Sequence, residues 1–294
     1  FPTASRGTRA QYGSKINLSE VSHQCPGIKC ILMMSDKKIS PILACCSLSK
    51  HYGALAAVDK LSFDVRFGEI LGISGPNGAG KTTLFEVISG LDPATSGEIS
   101  FRGHNIIDFS PEQICHMGIA RTFQLNTAFD TLTARENVLL ASCFGHHNLL
   151  FPGFKFDRSA LKRADEALDL VRMSHKRDEV AGDLPVYDRK RLMIAGALAC
   201  EPKLLLLDEP VGGLDFQEIN EVIELVEIIR REHSLTIILI EHVMRFLVAL
   251  SDRVMIMHQG KNIYEGLPEE LAKDPTVVEV YLGEEAKHLK QLMQ

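Results

Sequence analysis

The chain has 294 residues, 45% of them hydrophobic and 24% charged, and carries a net charge of −6. That balance is ordinary for a globular domain and offers no bulk positive charge of the kind that selects nucleic acid. No apolar run approaches the roughly 20 residues that cross a bilayer, so any action at a membrane is expected to pass through a partner. Seven cysteines without a Cys-x-x-Cys pair read as reduced, buried thiols rather than a disulfide framework.

Residues 1–42 differ in character from the rest of the chain. They mix Ser, Gly, Gln and Lys without helical or strand periodicity, and they lack the apolar stretch of a secretory signal. A disordered leader is expected there, with Met33-Met34 a plausible true start. From Ile42 the pattern changes. Strands are predicted over 42–48 and 61–66, with Tyr52-Gly53 between them, and a buried strand over 69–74.

Next comes Gly75-Pro76-Asn77-Gly78-Ala79-Gly80-Lys81-Thr82-Thr83, which fits G-x-x-x-x-G-K-[ST]. A helix is predicted over 83–89, stopped at Gly90. Strand, glycine loop and helix together make a phosphate cradle: the loop turns its backbone N–H groups inward and the helix N-terminus adds partial positive charge. Lys81 is placed to meet the β- and γ-phosphates, and the Thr82 hydroxyl to meet Mg²⁺.

Further strands are predicted over 97–101 and 119–123, the second ending at Gln124. Residues 126–183 read as a helical lobe. Thr133-Ala134-Arg135-Glu136 fits a capping box, and 157–173 carries apolar residues at helical spacing. His146-His147 has no third ligand nearby in sequence and reads as a solvated loop. A helix over 189–200 stops before Glu201-Pro202, and 204–207 is a wholly apolar strand of the kind found inside parallel sheets. A helix over 217–232, a strand over 235–240 and paired strands over 253–257 and 262–264 come next, then short helices over 268–294. Alternating strands and helices predict an α/β fold with a mainly parallel sheet.

The 204–207 strand ends in Asp208-Glu209, and ligands gather at such strand ends. Asp208 is expected to hold Mg²⁺ and Glu209 to act as general base toward water. The next strand ends in Glu241-His242, from which His242 can reach a γ-phosphate. Gln124, at its own strand end, can meet both Mg²⁺ and the attacking water.

In this order the phosphate loop, Gln124, the helical lobe, Leu207-Asp208-Glu209-Pro210, Gly213-Leu214-Asp215 and His242 resemble the ATP-binding subunit of ABC transporters. The resemblance covers residues 43–294. It implies a P-loop NTPase fold with a RecA-like, mainly parallel sheet core, an antiparallel β subdomain and an inserted helical subdomain. The implied domains are an ATP-binding domain at 43–266, with the helical insertion at about 126–183, and a C-terminal helical tail at 267–294. The implied cofactors are ATP and Mg²⁺. Tyr52 falls where the family stacks an aromatic on adenine, the nucleotide site takes in residues 75–83, and Gln124, Asp215 and His242 match its Q-loop, D-loop and switch histidine.

Ala120-Arg121-Thr122-Phe123-Gln124, the long insertion after it and Asp274-Pro275-Thr276-Val277-Val278-Glu279-Val280-Tyr281-Leu282-Gly283 look like the branched-chain amino acid subfamily and its urea- and amide-transporting relatives. Expected partners are therefore membrane permease subunits, a second ABC ATPase subunit and an extracytoplasmic solute-binding protein, with no nucleic acid. The expected place is peripheral, on the cytoplasmic face of the plasma membrane. The tail and the absence of a second cassette argue against the lipopolysaccharide-exporting and ribosome- or nucleic-acid-directed relatives.

One departure stands out. Where the family's L-S-G-G-Q signature belongs, the chain reads Leu184-Pro185-Val186-Tyr187-Asp188. Pro185 lacks both the hydroxyl and the N–H of the serine it replaces, and Tyr187 falls at a glycine. In this family the signature of one subunit completes the ATP site of the other, so an asymmetric heterodimer is expected. The alternative is a slow or non-hydrolysing regulatory subunit.

Overall fold

The computed structural model describes residues 40–122, 128–145 and 158–281. Two sheets enclose one helix. The first is antiparallel and is built from β1 (Leu43–Tyr52), β2 (Leu55–Val65), β4 (Ser96–Phe101) and β5 (His104–Asn105), in the order β2-β1-β4-β5. The second is built from β3 (Ile70–Ser74), β6 (Ile119–Arg121), β7 (Leu204–Asp208), β8 (Thr236–Ile240), β9 (Arg253–His258) and β10 (Lys261–Gly266), in the order β10-β9-β3-β8-β7-β6. Its strands run parallel except β10, which closes the edge antiparallel to β9.

β3, β7 and β8 are buried at every residue. Their side chains alternate between two cores, as a period of two requires. Leu71, Ile73, Leu206, Ile238 and Ile240 face the antiparallel sheet across helix α1 (Lys81–Ile88), whose Leu84, Phe85 and Ile88 are wholly buried. Ile70, Leu205, Leu207, Ile237 and Leu239 face the other helices. Covering both faces is what lets a strand be uniformly apolar.

Among those helices, α3 (Ala134–Phe144), α4 (Arg158–Leu170) and α5 (Val186–Leu198) form the lobe, meeting through small residues such as Ala134, Ala160, Ala164 and Ala195. The capping box predicted at Thr133 is present: its Oγ1 accepts from Glu136 N–H at 3.2 Å and Glu136 Oε2 accepts from Thr133 N–H at 2.8 Å. Helix α6 (Phe216–His233) starts from another, in which Asp215 Oδ1 accepts from Gln217 and Glu218 N–H.

Several bounds differ from the sequence reading. β1 runs on through Tyr52 instead of ending at 48, and three irregularities in its register with β2 break the alternation that would have announced this. Helix α5 starts at Val186, not 189, and helices α2 (Pro111–Met117) and α7 (Met244–Leu250) were not predicted. Both are seven residues long, too short to show a helical period. Ile42 is buried and donates its N–H to Val65 O, so it belongs to the folded part. Residues 1–39 of the expected leader lie outside the described residues, as do Gln124, His146-His147 and the end of the tail.

Candidate functional site

The phosphate loop leaves β3 at Ser74 and enters α1 at Lys81. It is wedged on two sides. A Cβ on Gly75 would lie 2.0 Å from the Met257 carbonyl oxygen of β9, and one on Gly80 would lie 2.0 Å from the Ala57 carbonyl oxygen of β2. Both residues have positive φ, 147° and 98°, so glycine is required twice over. Ala79 O also accepts from Gly260 N–H at 2.9 Å, which seats the β9–β10 turn under the loop. Lys81 is 8% exposed, and its ammonium donates to Gly75 O at 2.6 Å and Pro76 O at 2.9 Å. The charge thus sits across the loop mouth. Asn77, Gly78 and Thr82 are exposed at the rim, while Pro76 and Ala79 are buried and Thr83 is half-buried.

Tyr52 ends β1 beside this helix and is 47% exposed. Its hydroxyl donates to Asp92 Oδ2 at 2.5 Å, and Lys50 donates to Asp92 Oδ1 at 2.5 Å while lying 4.9 Å from the Tyr52 ring centroid. The hydrogen bond to Asp92 raises the Tyr52 pKa, and the Lys50 hydrogen bond lowers that of Asp92. The phenol end is pinned and Lys50 lies over one face of the ring, which leaves the other as a stacking surface for a base.

The acidic residues stand at the ends of β7 and β8, on the edge of the sheet from which the loop leaves β3. Asp208 closes β7, only 4% exposed, and its Oδ2 accepts from Arg121 Nη2 at 2.7 Å. Its N–H donates to Thr122 Oγ1 at 3.0 Å. Glu209 comes next with φ 47°, a left-handed backbone that a non-glycine residue holds only where its surroundings impose it. Two contacts do so. Glu209 N–H donates to Ile240 O at 3.0 Å, and Lys190 Nζ of α5 donates to Glu209 O at 2.5 Å. The Glu209 side chain is left 37% exposed, with Oε1 3.9 Å from Nδ1 of His242.

Glu241, between β8 and His242, is fully buried. Its carboxylate accepts from the N–H groups of Val211, His242 and Val243 at 2.9, 3.1 and 3.2 Å. Burial raises its pKa, and those N–H bonds oppose the rise. One carboxylate therefore ties the segment after β7 to the segment after β8, and so fixes Glu209 relative to His242. Sequence reasoning missed Arg121, Lys190 and Glu241 as parts of the site, because the contacts that place them there, to Asp208, the Glu209 carbonyl and Val211, are distant in sequence.

At the departed signature, Pro185 takes the N-cap position of α5 without a side-chain cap. Tyr187 turns away from the helix tip, its hydroxyl donating to Glu221 Oε2 at 2.5 Å and its ring 4.3 Å beneath the Arg191 guanidinium. Burial, then the Glu221 bond, pushes its pKa up to about 12. Asp188 is buried between Lys176, at 2.6 Å, and Arg191. Burial works against its charge, and these two cations outweigh it to hold its pKa below the usual carboxylate range.

A wedged glycine loop, an ammonium at its mouth, a helix N-terminus behind it and an open aromatic ring fit a nucleoside triphosphate. Among the described residues no three His, Cys, Asp or Glu side chains cluster as a metal site. A cation here would rest on the Thr82 hydroxyl, the Asp208 carboxylate and the phosphates themselves.

The family model for ABC transporters matches residues 58–212. The chain belongs to the ABC transporter family. It is similar to the high-affinity branched-chain amino acid transport ATP-binding protein LivG of Salmonella typhimurium, 38% identical over 254 residues, covering 83% of this chain and 98% of that protein. BraF of Pseudomonas aeruginosa, with the same description, is 34% identical over 252 residues, covering 83% and 98%. Among solved structures, a nucleotide-free ATP-binding cassette from an ABC transporter superposes with a TM-score of 0.76 at 29% identity, covering 82% of this chain and 99% of that one. The ADP conformation of such a cassette gives 0.76 at 31% identity, covering 83% and 99%. As an ABC family member the chain is an ATP-binding, ATP-hydrolysing transporter subunit, and the predicted fold class holds. No helix among the described residues is long and apolar enough to cross a membrane, as fits a subunit that joins its transporter peripherally.

Proposed function

We propose that this chain powers the import of branched-chain amino acids, or of a related small polar solute, from the cytoplasmic face of the plasma membrane. The catalytic reading is supported by the placement of Lys81 at the mouth of the loop that follows β3, of Asp208 and Glu209 at the end of β7 and of His242 after β8, with Glu209 Oε1 3.9 Å from His242 Nδ1. The relatives' descriptions support the substrate class.

In this reading Tyr52 stacks on adenine, and Gly75, Pro76, Asn77, Gly78, Ala79, Gly80 and Thr83 wrap the phosphates with Lys81. Thr82, Asp208 and Gln124 hold Mg²⁺, which when bound neutralises phosphate charge. Glu209 takes the proton from the attacking water, and its open, solvent-facing carboxylate suits that task. His242, whose Nδ1 lies 3.9 Å from Glu209 Oε1, would meet the γ-phosphate.

Two such subunits clamp two ATP molecules, and ATP favours the closed pair because its γ-phosphate binds that state more tightly. The permease is met at an apolar groove of about 480 Å³ between α2 and α3, lined by Leu91, Ile114, Phe129, Leu140, Phe144 and Met193. Phe129 and Phe144 are 59% and 62% exposed there. A secreted solute-binding protein delivers the cargo, and a second ATPase subunit completes the pair.

Glu209→Gln tests the reading in the transporter reassembled with its second ATPase and permeases. It should bind ATP with wild-type affinity and lose turnover by roughly 10²-fold or more. Turnover at the wild-type rate removes Glu209 as the base.

A further inference from the structure

The segment that marks the subfamily in the sequence has a place in the fold to which ATP hydrolysis assigns no task. Asp274 opens it, its Oδ1 accepting from Thr276 N–H at 2.9 Å and Val277 N–H at 3.1 Å. This is an N-cap, and residues 275–281 continue as helix. Val277 and Tyr281, four apart, share one face of that helix. Val277 is 4% exposed, and both residues pack on the helix-side core. The Tyr281 hydroxyl lies 2.9 Å from Ser74 Oγ. Ser74 is 0% exposed, ends β3 and immediately precedes Gly75. A hydroxyl buried to that degree is costly unless hydrogen-bonded.

We propose that Tyr281 is a positioning residue for the nucleotide: the tail latches the strand end from which the phosphate loop springs. The proposal rests on the reading of that loop as the nucleotide site. Ser74 is paired with Ile256 on one side and tied to Tyr281 through its hydroxyl. Gly75 is pressed against Met257 O. The direction in which the loop's N–H groups point is therefore set at Ser74, by β9 and the tail together. Linkage makes the effect reciprocal: whatever factor the docked tail adds to nucleotide affinity, bound nucleotide adds to tail docking.

The test uses the full chain and a fluorescent ADP with Mg²⁺. Tyr281→Phe should weaken ADP binding by roughly three- to ten-fold, the span that one hydrogen bond supplies. Ser74→Ala should do the same, and the double variant should lose no more than either single. Bound ADP should slow amide hydrogen exchange over 275–281 in the wild type but not in Tyr281→Phe, and without nucleotide the thermal midpoint of Tyr281→Phe, which deprives the buried Ser74 hydroxyl of this bond, should fall below that of the double variant, which removes the hydroxyl as well. Wild-type affinity in both single variants, additive losses in the double, or tail exchange indifferent to ADP would each overturn the latch while leaving the nucleotide site intact. Failure of the wild type to take up ADP would overturn the site itself, and the latch with it.

Discussion

Glu241 shows how a buried side chain can fix two neighbours on which the proposed site turns. Its carboxylate is buried and held by three N–H groups, and burial raises its pKa. That direction sets the sign of the pH effect. With the folded pKa above the unfolded value, the native state binds more protons through that window, so the group's contribution to stability falls as pH rises from the unfolded value toward the folded one. Glu241→Gln removes the titration. Relative to this variant, the wild type should lose stability on going from about pH 4.5 upward and then level off, as measured by urea unfolding at several pH values. A constant difference between the two proteins would show that the folded pKa is not raised. Nothing in the letters Ile240-Glu241-His242 announces this. A strand-end acid looks alike in sequence whether it faces solvent or three amides, and only the fold brings Val211 to it.

At the scale of elements, what could be read in advance was what is contiguous. The phosphate loop carries its strand, glycines, lysine and helix within one short stretch, and the apolar run Leu204 to Leu207 of β7 declares a strand covered on both faces. The capping box read at Thr133 fixes a helix start through residues three apart, whereas the one at Asp215 was not read. Thr133→Ala should therefore destabilise the lobe by about 1 kcal/mol, seen as a lower urea midpoint with an unchanged slope. Long-range features resisted reading. Arg121 finds Asp208 and Lys190 finds the Glu209 carbonyl across the sheet and the lobe. The register shifts in β1 hid its length, since a bulge moves side chains from one face to the other and erases the alternation.

For the whole molecule, the altered signature sets the expected behaviour of the assembled pair. Pro185 at the α5 N-cap removes an N–H and a hydroxyl from the tip that the proposed partner's ATP would meet, while Tyr187 folds aside onto Glu221. Losing one preorganised donor from a transition state typically costs roughly 10²–10³ in rate. Restoring the tip with Pro185→Ser and Tyr187→Gly should raise turnover at the partner's site, measured with Glu209→Gln present so that this chain's own site is silent. An unchanged rate would mean that the tip plays no part in that site. The Tyr187 change also removes a ring that stacks on Arg191, so folding of the variant is to be checked by its unfolding midpoint.

The bond from Lys190 to the peptide oxygen of Glu209 has a mechanical meaning. The ammonium rides on α5, and the oxygen belongs to the residue that follows β7. One bond thus links the lobe to the backbone that carries the proposed base, so any displacement of α5 would be felt first at that left-handed peptide.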